Sequence, residues 1–190
     1  MSNAHTAGNR AVTLNDVSED LIARFNAGSP DRRRPDLMFI AVPRSEAVAA
    51  ITHLKEYWRF RHLVFFTAVD LIERSLFRLC YMLHSHASGI DVCLQAEISR
   101  DAPVADSIHH LWAGAATYER ELREMFGISF PGCPRVDESF ALEGWQEIPP
   151  MRRDFDTRAY SERTYFPREG RAKHDKVEIM KKELYPEADL

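Results

Sequence analysis

The stretch LFRLCYMLHSHASGIDVCLQAEI, residues 76–98, decides the fold of this chain. Leu76–His84 sets two rows of alternating side chains, and every second residue of Ile90–Ile98 is aliphatic. A period of two is typical of β-strands that bury one face. The intervening His86–Gly89 contains Ser and Gly, which favour turns, so we predict an antiparallel hairpin.

Two further strands are predicted upstream of the hairpin. Leu63–Ile72 is rich in Val and Phe, and Leu37–Val42 is a continuous apolar run that Pro43 ends. Short apolar runs bounded by turn residues are typical of buried strands. The polar stretch Arg32–Asp36, just before the second of these runs, is predicted to be a loop.

Two upstream segments carry apolar residues at helical spacing. The first predicted helix is capped by Asn15 or Asp16 and ends at about Phe25. The second covers about Glu46–Trp58, with Ser45 as its cap.

The order of these elements predicts an α+β fold with two layers, a mixed β-sheet with helices on one face, plus an extended C-terminal tail. We expect a disordered N-terminus over residues 1–14, the α+β domain over 15–130 and the tail over 131–190. Six prolines and little periodicity mark the tail. A segment of this kind is either disordered or ordered by wrapping a partner.

The composition narrows the classes of function. The chain has 190 residues and a formal net charge of −4, which argues against a dedicated nucleic-acid binder. Its sequence has no apolar run of the roughly 18–20 residues that a membrane-spanning helix needs, and its first residues lack a signal-peptide core. We therefore expect a cytoplasmic protein that reaches a membrane only through a partner.

The cysteines exclude two kinds of site. Cys80, Cys93 and Cys133 are odd in number and widely spaced, which disfavours a disulfide framework. Three thiolates are too few for a four-cysteine iron–sulfur cluster within one copy of the chain.

The stretch YERELREMFGISFPGCP, residues 118–134, concentrates charge on a third predicted helix, about Ala113–Phe126. One interpretation is a solvated face with i,i+4 ion pairs, Glu119 with Arg123 and Arg120 with Glu124. A general acid is disfavoured because the interleaved arginines keep the carboxylates ionised. The other interpretation is a surface shaped for another protein.

Other candidate sites lack parts that their chemistry needs. Cys133-Pro134 stands where a phosphate loop needs Lys and Ser or Thr, and the chain has no Gly-x-Gly for a dinucleotide. His84 and His86 share one side of a strand but lack a third metal ligand. Cys133 has only Arg135 nearby to lower its pKa as a nucleophile. A stand-alone metal or cysteine enzyme remains an alternative on these residues.

A second arginine-rich element follows in the tail. Residues 149–155, PPMRRDF, set two guanidinium groups beside a carboxylate. Arginine suits planar, bidentate pairing with carboxylates at an interface. The element fits an ordinary loop equally well on its own.

Together these segments resemble the C subunit of NADH:quinone oxidoreductase, respiratory complex I. Residues 107–134 are similar to a family pattern that reads E-R-E-x-x-D-[LM]-F-G-I-x-F-x-G-H-P, and residues 150–155 are similar to its later P-L-R-K-D-[FY] element. Glu124 stands where the pattern has Asp, and Cys133 stands where it has His. Residues 135–143 lack the basic, leucine-rich stretch of the family. The resemblance covers about residues 36–165.

The resemblance implies a non-catalytic subunit of the peripheral arm, on the cytoplasmic side of the inner membrane. Its expected partners are the large D subunit and the neighbouring iron–sulfur subunits. No cofactor is expected in this chain, whereas the complex would carry iron–sulfur clusters and flavin. By position, the resemblance implies an interface made of Glu119, Arg120, Glu121, Phe126, Gly127, Ile128, Phe130, Pro134, Pro150, Arg152, Arg153, Asp154 and Phe155.

Two alternatives stay open beside complex I. Membrane-bound [NiFe] hydrogenases and formate hydrogenlyases carry a related subunit, in which case the complex would hold a [NiFe] centre. A soluble adaptor without a redox partner is the other alternative.

Overall fold

The computed structural model describes residues 12–165, so most of the predicted disordered N-terminus and the tail beyond residue 165 lie outside the described residues. The helices and strands of the described part are, in chain order, α1 (Leu14–Phe25), β1 (Asp31–Arg34), β2 (Leu37–Ala41), α2 (Ala47–Glu56), β3 (His62–Leu71), β4 (Leu76–Ser85), β5 (Ile90–Ser99), α3 (Ala115–Phe126) and α4 (Thr157–Tyr165). The chain divides into two compact units, one reaching to Asp154 and one starting at Phe155.

The five strands of the first unit form one mixed sheet in the order β1-β2-β5-β4-β3. The β4–β5 hairpin pairs antiparallel from Leu76 opposite Ser99 to Ser85 opposite Ile90. β3 is antiparallel to β4 on one side, and β2 runs parallel to β5 on the other. The predicted hairpin and the predicted mixed sheet are confirmed.

The core lies on one face of the sheet. Inward side chains of the strands form a single apolar cluster with residues of α1, α2 and α3. The fully buried side chains include Tyr81 and Phe77 of β4 and Leu21 of α1. Burying a large apolar side chain contributes about 1.5–3 kcal/mol, so this layer supplies most of the driving force for folding. The predicted fold class, a two-layer α+β arrangement with helices on one face, is confirmed.

The predicted loop at Arg32–Asp36 is wrong, because Asp31–Arg34 pairs antiparallel with β2. All four residues of β1 are exposed, as expected for a charged edge strand that discourages pairing with another chain. A strand of this composition shows no alternation and is stabilised by its neighbour, so its sequence alone does not predict it.

The predicted helix caps are also wrong. Thr13 caps α1 through a capping box with Asp16, so the helix begins one residue before the predicted cap Asn15. Ser45 lies inside a 3₁₀ turn, Arg44–Glu46, that precedes α2. The capping box satisfies two backbone or side-chain donors at once, which favours Thr13.

Residues 131–154, which the sequence assigned to the tail, belong to the same compact unit as the sheet. They consist mostly of turns. The second unit, where it is described, contains the short helix α4, which the sequence did not predict. Within residues 12–165, no helix combines the length and the apolar character needed to cross a bilayer.

Candidate partner-docking surface

The two motifs meet where α3 ends. Gly127 adopts a left-handed conformation with φ of 75° and donates its N–H to Arg123 O at 3.0 Å. A Cβ at this position would lie 2.9 Å from Nη2 of Arg152 and 3.3 Å from Cγ of Pro149. Glycine is therefore required twice, for the backbone conformation and for the close approach of the second motif.

Arg152 holds the second motif against α3. Its Nε donates to Phe126 O at 2.6 Å, and its guanidinium lies 5.3 Å from the ring centre of Phe77. The backbone N–H of Met151 donates to Met125 O at 3.1 Å. The hydrogen bonds satisfy two carbonyl groups in the last turn of the helix, where intrahelical donors are missing.

Asp70 of β3 anchors the same motif from the other side. Its carboxylate accepts two hydrogen bonds from Arg100, at 3.0 and 3.2 Å, and one from the backbone N–H of Arg153 at 2.9 Å. Arg100 also pairs with Asp154 at 2.7 Å. Asp70 is only 6% exposed, so these donors replace the water that it loses.

The same contacts set the ionisation of Asp70. Burial pushes the pKa of its carboxyl upward, but the hydrogen bonds from Arg100 and from the Arg153 backbone outweigh burial and lower it below its ordinary value. The carboxylate is therefore ionised at neutral pH. It forms a buried ion pair whose cation also binds the second motif.

Glu119 is buried in the first motif, although the sequence placed it on a solvated face. It is 0% exposed, accepts the Ile108 N–H at 2.8 Å and accepts the Ser107 hydroxyl at 2.5 Å. The Ser107 oxygen in turn lies 2.8 Å from Nδ1 of His109. The carboxylate thus fixes the turn that leads into α3.

The inward face of α3 differs from the predicted one. The prediction placed Ala115, Tyr118, Leu122 and Met125 in the core, whereas the buried residues are Ala115, Glu119, Leu122 and Phe126. The two sets are offset by about one position. A helical wheel that places every charge outside could not find this face, because its centre is a carboxylate.

Glu124 holds the segment that follows the first motif. Its two oxygens accept the backbone N–H groups of Phe140, Ala141 and Leu142 at 2.9, 2.8 and 3.1 Å. Three donors on one carboxylate fold residues 136–142 back over α3.

The two arginines between these glutamates also contact the returning segment. Arg123 pairs with Asp137 at 3.1 Å, and Arg120 donates to Ser139 O at 2.8 Å. The predicted i,i+4 pairs, Glu119 with Arg123 and Arg120 with Glu124, are therefore wrong. Burial of one glutamate and capture of the other by backbone donors leave the arginines for partners across the loop.

A cavity of about 320 Å³ lies between α3 and the returning segment. Its walls are mostly polar, and they include Arg123, Glu124, Gly127, Val136, Asp137, Glu138, Ser139, Leu142, Gly144, Trp145, Glu147 and Pro149. Most of the charged groups in this wall already pair with the loop or with each other. The cavity therefore separates the two motifs without forming an obvious catalytic centre.

The structure places the predicted interface residues in three settings. Glu119, Phe126, Ile128 and Phe130 are buried in the fold. The second setting is internal anchoring, seen in Gly127, Arg152, Arg153 and Asp154. The residues left at least partly accessible in the first unit are Arg120, Glu121, Pro134 and Pro150.

Glu121 is the motif charge that the first unit does not use. It is half-buried, and within residues 12–165 it forms no hydrogen bond or ion pair. Large apolar side chains are exposed on the segment between the motifs, where Phe140 is 39%, Ile148 46% and Met151 55% exposed. Exposed apolar groups beside an unpaired charge are typical of a protein interface.

Phe155 belongs to the second unit. Its ring lies 5.5 Å from the ring of Tyr160 in α4. The helix also carries an exposed ion pair between Arg158 and Glu162 at 2.9 Å. Phe155 therefore starts a small aromatic cluster of its own.

The residues of the enzyme alternative lie apart. His84 and His86 cluster with His62 at ring-centre distances of 4.6–6.5 Å, at one end of the sheet. Among residues 12–165, no three His, Cys, Asp or Glu side chains are placed to hold a metal ion. Burial and the neighbouring Glu119 raise the pKa of Cys133 to about 12, so its thiol is protonated at neutral pH.

Sequence reasoning missed the residues that anchor the motifs, namely Asp70, Arg100 and Ser107. Asp70 offered a signal, because a carboxylate at an inward position of an apolar strand needs a buried partner. Its two partners are 30 and 83 residues away in the chain, which no local pattern reveals.

Comparison with known proteins gives consistent results. Residues 40–161 match the family described as respiratory-chain NADH dehydrogenase, 30 Kd subunit. The C subunit of the NADH-quinone oxidoreductase of Roseiflexus castenholzii is 34% identical over 142 residues, which cover 70% of this chain and 81% of that protein. The C/D subunit of the NADH-quinone oxidoreductase of Acidiphilium cryptum is 32% identical over 130 residues, which cover 63% of this chain and 22% of that protein.

The fold also recurs among solved structures. A chain of the membrane-bound sulfane sulfur reductase, an archaeal respiratory membrane complex, superposes with a TM-score of 0.69 at 22% sequence identity. The superposition covers 80% of this chain and 90% of the other. At this level of identity, the likeness concerns the fold.

Proposed function

Because this chain belongs to the family of the 30 Kd subunit of respiratory-chain NADH dehydrogenase, we propose that it is a non-catalytic subunit of the peripheral arm of NADH:quinone oxidoreductase. In this proposal it docks on the large D subunit, at the cytoplasmic side of the inner membrane. It supports electron transfer from NADH to quinone, coupled to proton translocation, by holding its neighbours in place.

The observation that carries the proposal is the contrast between Glu119 and Glu121. The two glutamates stand two residues apart in one motif, yet one is fully buried with internal donors and the other is half-exposed without any within residues 12–165. A stabilising role explains Glu119 but leaves Glu121 unexplained. A partner that supplies a donor explains it, because a carboxylate desolvated at an interface needs one.

The segment between the motifs supplies the apolar part of the same surface. Ile148 and Met151 are anchored at their backbone end by the contacts of Arg152, so their exposed side chains are presented on a fixed loop. Apolar anchors held rigid before binding cost little entropy when the partner arrives. The C/D relative, in which both letters name one protein, supports the D subunit as this partner.

We propose that the chain contributes no cofactor of its own. Cys80 and Cys93 lie on β4 and β5, whereas Cys133 lies beside Glu119 on the other side of the sheet. A four-thiolate cluster needs four sulfurs at one point. Iron–sulfur clusters and flavin would belong to the neighbouring subunits.

Co-purification from membranes tests the proposal. A tagged full-length chain should bring down a large subunit and iron–sulfur subunits, together with NADH-dependent quinone reduction. Glu121→Ala and Met151→Asp should each lower this recovery about tenfold or more, since interface anchors are commonly worth over 1.4 kcal/mol. The matched controls are Glu19→Ala and Ile22→Asp, which change exposed positions on α1.

The outcomes separate the parts of the proposal. If no iron–sulfur subunit is recovered with the unaltered chain, the proposed function is wrong and a free adaptor is favoured. If the complex is recovered but the variants match the α1 controls, the docking surface is wrong. Each variant is first checked by its urea unfolding midpoint, which should equal that of the unaltered chain.

A second candidate is the equivalent subunit of a related membrane complex, such as a [NiFe] hydrogenase or formate hydrogenlyase. The superposition with a chain of the sulfane sulfur reductase favours it, because the same fold serves a different respiratory complex. The recovered complex distinguishes the two. Reduction of quinone by NADH supports the first candidate, whereas hydrogen evolution or uptake supports the second.

A further inference from the structure

Two of the three cysteines lie side by side on the sheet face that the helices leave uncovered. Cys80 of β4 is opposite Gln95, and Cys93 of β5 is opposite Met82, so the two cysteines are diagonal neighbours on one face of an antiparallel pair. Both are free thiols. Neither belongs to the apolar cluster that the sheet forms with the helices, which confirms that they point to the opposite face.

The two thiols differ in access and in environment. Cys80 is 7% exposed and Cys93 is 1% exposed, so Cys80 is the sulfur that a small solute meets first. The side-chain amide of Gln95 donates to Cys80 Sγ at 3.8 Å. Donors and a nearby cation are the features that separate reactive cysteines from inert buried ones.

The polarity of the pair follows from these contacts. A hydrogen bond from Cys93 is the largest influence that lowers the pKa of Cys80, with further contributions from Gln95 and from the charge of Arg78. The same hydrogen bond, together with burial, raises the pKa of Cys93. The thiolate therefore forms on Cys80, while Cys93 keeps its proton and donates it toward that thiolate.

We propose that Cys80 and Cys93 are a redox-active dithiol that a peroxide oxidises to an intrachain disulfide, with Cys80 attacking first and Cys93 resolving. The Cys80 thiolate attacks one peroxide oxygen, an S–O bond forms and the O–O bond breaks. The product is a Cys80 sulfenic acid, and the second oxygen takes up a proton and leaves as water. The sulfur of Cys93, after losing its proton, then attacks Cys80, so that an S–S bond forms and the S–O bond breaks, releasing a second water.

The electron balance of this sequence closes on the named reactants. Two thiols lose two electrons and two protons, and one peroxide is reduced to two waters. Diagonal neighbours need a small backbone shift to reach disulfide distance, and the outer face of the sheet can accommodate one because no described helix of the first unit packs on it. Cys133 takes no part, because it is buried beside Glu119 on the other side of the sheet.

Graded hydrogen peroxide on the purified full-length chain tests the proposal. We expect free-thiol titration to fall from three thiols to one, and peptide mass spectrometry to find Cys80 joined to Cys93 with the loss of two hydrogen atoms. A reductant should restore all three thiols. Circular dichroism recorded in parallel must keep its native form throughout, so that oxidation of unfolded protein is not counted.

Three variants assign the roles. Cys93→Ser should trap the Cys80 sulfenic acid, detectable with a sulfenic-acid-specific probe. Cys80→Ser should slow the loss of thiols about tenfold or more, because Cys93 is neither exposed nor ionised. The matched control Cys133→Ser should form the disulfide as the unaltered chain does.

Two results would overturn the proposal. One is oxidation of a single cysteine in the unaltered chain without the crosslinked peptide. The other is a Cys80→Ser variant that reacts as fast as the Cys93→Ser variant, which would remove the assigned order.

Discussion

Two buried carboxylates hold the two motifs of this protein, and they do so with different chemistry. Glu119 fixes the entry to α3 through a neutral hydroxyl and a backbone N–H. Asp70 fixes the second motif through the guanidinium of Arg100 and a backbone N–H. The comparison shows that the charges within these motifs serve the fold first. Contact with a partner is left to side chains that the fold does not use.

The region around Asp70 should be the more sensitive of the two. Asp70→Asn removes the negative charge and leaves Arg100 with only Asp154 as an ionic partner. Removing one member of a buried ion pair costs about 3–5 kcal/mol, and the remaining pair with Asp154 places this variant at the lower end. The free energy of unfolding from urea titration at neutral pH measures the loss.

The matched control is Asp137→Asn, which breaks the ion pair of Arg123 at a position where the aspartate side chain is 77% exposed. Its urea midpoint should stay within error of the unaltered chain, because exposed pairs contribute little. Equal losses in the two variants would contradict the assignment of Asp70 as the anchor.

Glu119 should show a smaller loss, and its size should depend on the replacement. Glu119→Gln keeps an oxygen that can accept the Ile108 N–H, whereas Glu119→Ala leaves that donor and the Ser107 hydroxyl unpaired in a buried site. An unsatisfied buried donor costs about 1–3 kcal/mol. We expect Ala to fall in that range and Gln below it, in the same urea experiment. A Gln variant as damaging as Asp70→Asn would break the comparison.

The sequence predicted the strands well because their alternation reflects burial directly. Leu76–His84 and Ile90–Ile98 became β4 and β5 with one added residue at each C-terminal end. Exposed Asp31–Arg34 shows the limit of this reasoning, because an edge strand that buries nothing leaves no pattern. Its pairing depends on β2, so only the assembled sheet reveals it.

The candidate site was predictable in location but not in the direction of its side chains. The motif residues around Gly127 and Arg152 do come together, as two segments about 25 residues apart in the chain. Glu119 was assigned to the solvated face because a carboxylate is rarely buried without a partner in the sequence nearby. Its partner, Ser107, lies 12 residues upstream and carries no signal of its own.

The pH dependence of stability sharpens the comparison further. The folded-state pKa of Asp70 is lowered, so its contribution is fully present above the unfolded pKa of about 4 and is lost as the pH falls through the folded value. The difference between the unaltered chain and Asp70→Asn should be constant from pH 7 to 5 and should shrink in more acidic buffer. Urea titrations at a series of pH values measure it. A difference that persists unchanged in acid would mean that the charge of Asp70 is not what stabilises the second motif.

The smallest effect is expected for the side chain of Arg153, although its backbone takes part in the Asp70 network. Its guanidinium pairs with Glu73 at 2.6 Å, but both side chains are more than half exposed. Water screens such a pair, and each partner loses side-chain freedom on forming it. Arg153→Ala should therefore leave the urea midpoint within error, because the N–H that reaches Asp70 is retained. Arg153→Pro, which deletes that N–H, should be clearly destabilised, and equal behaviour of the two variants would place the anchor in the guanidinium.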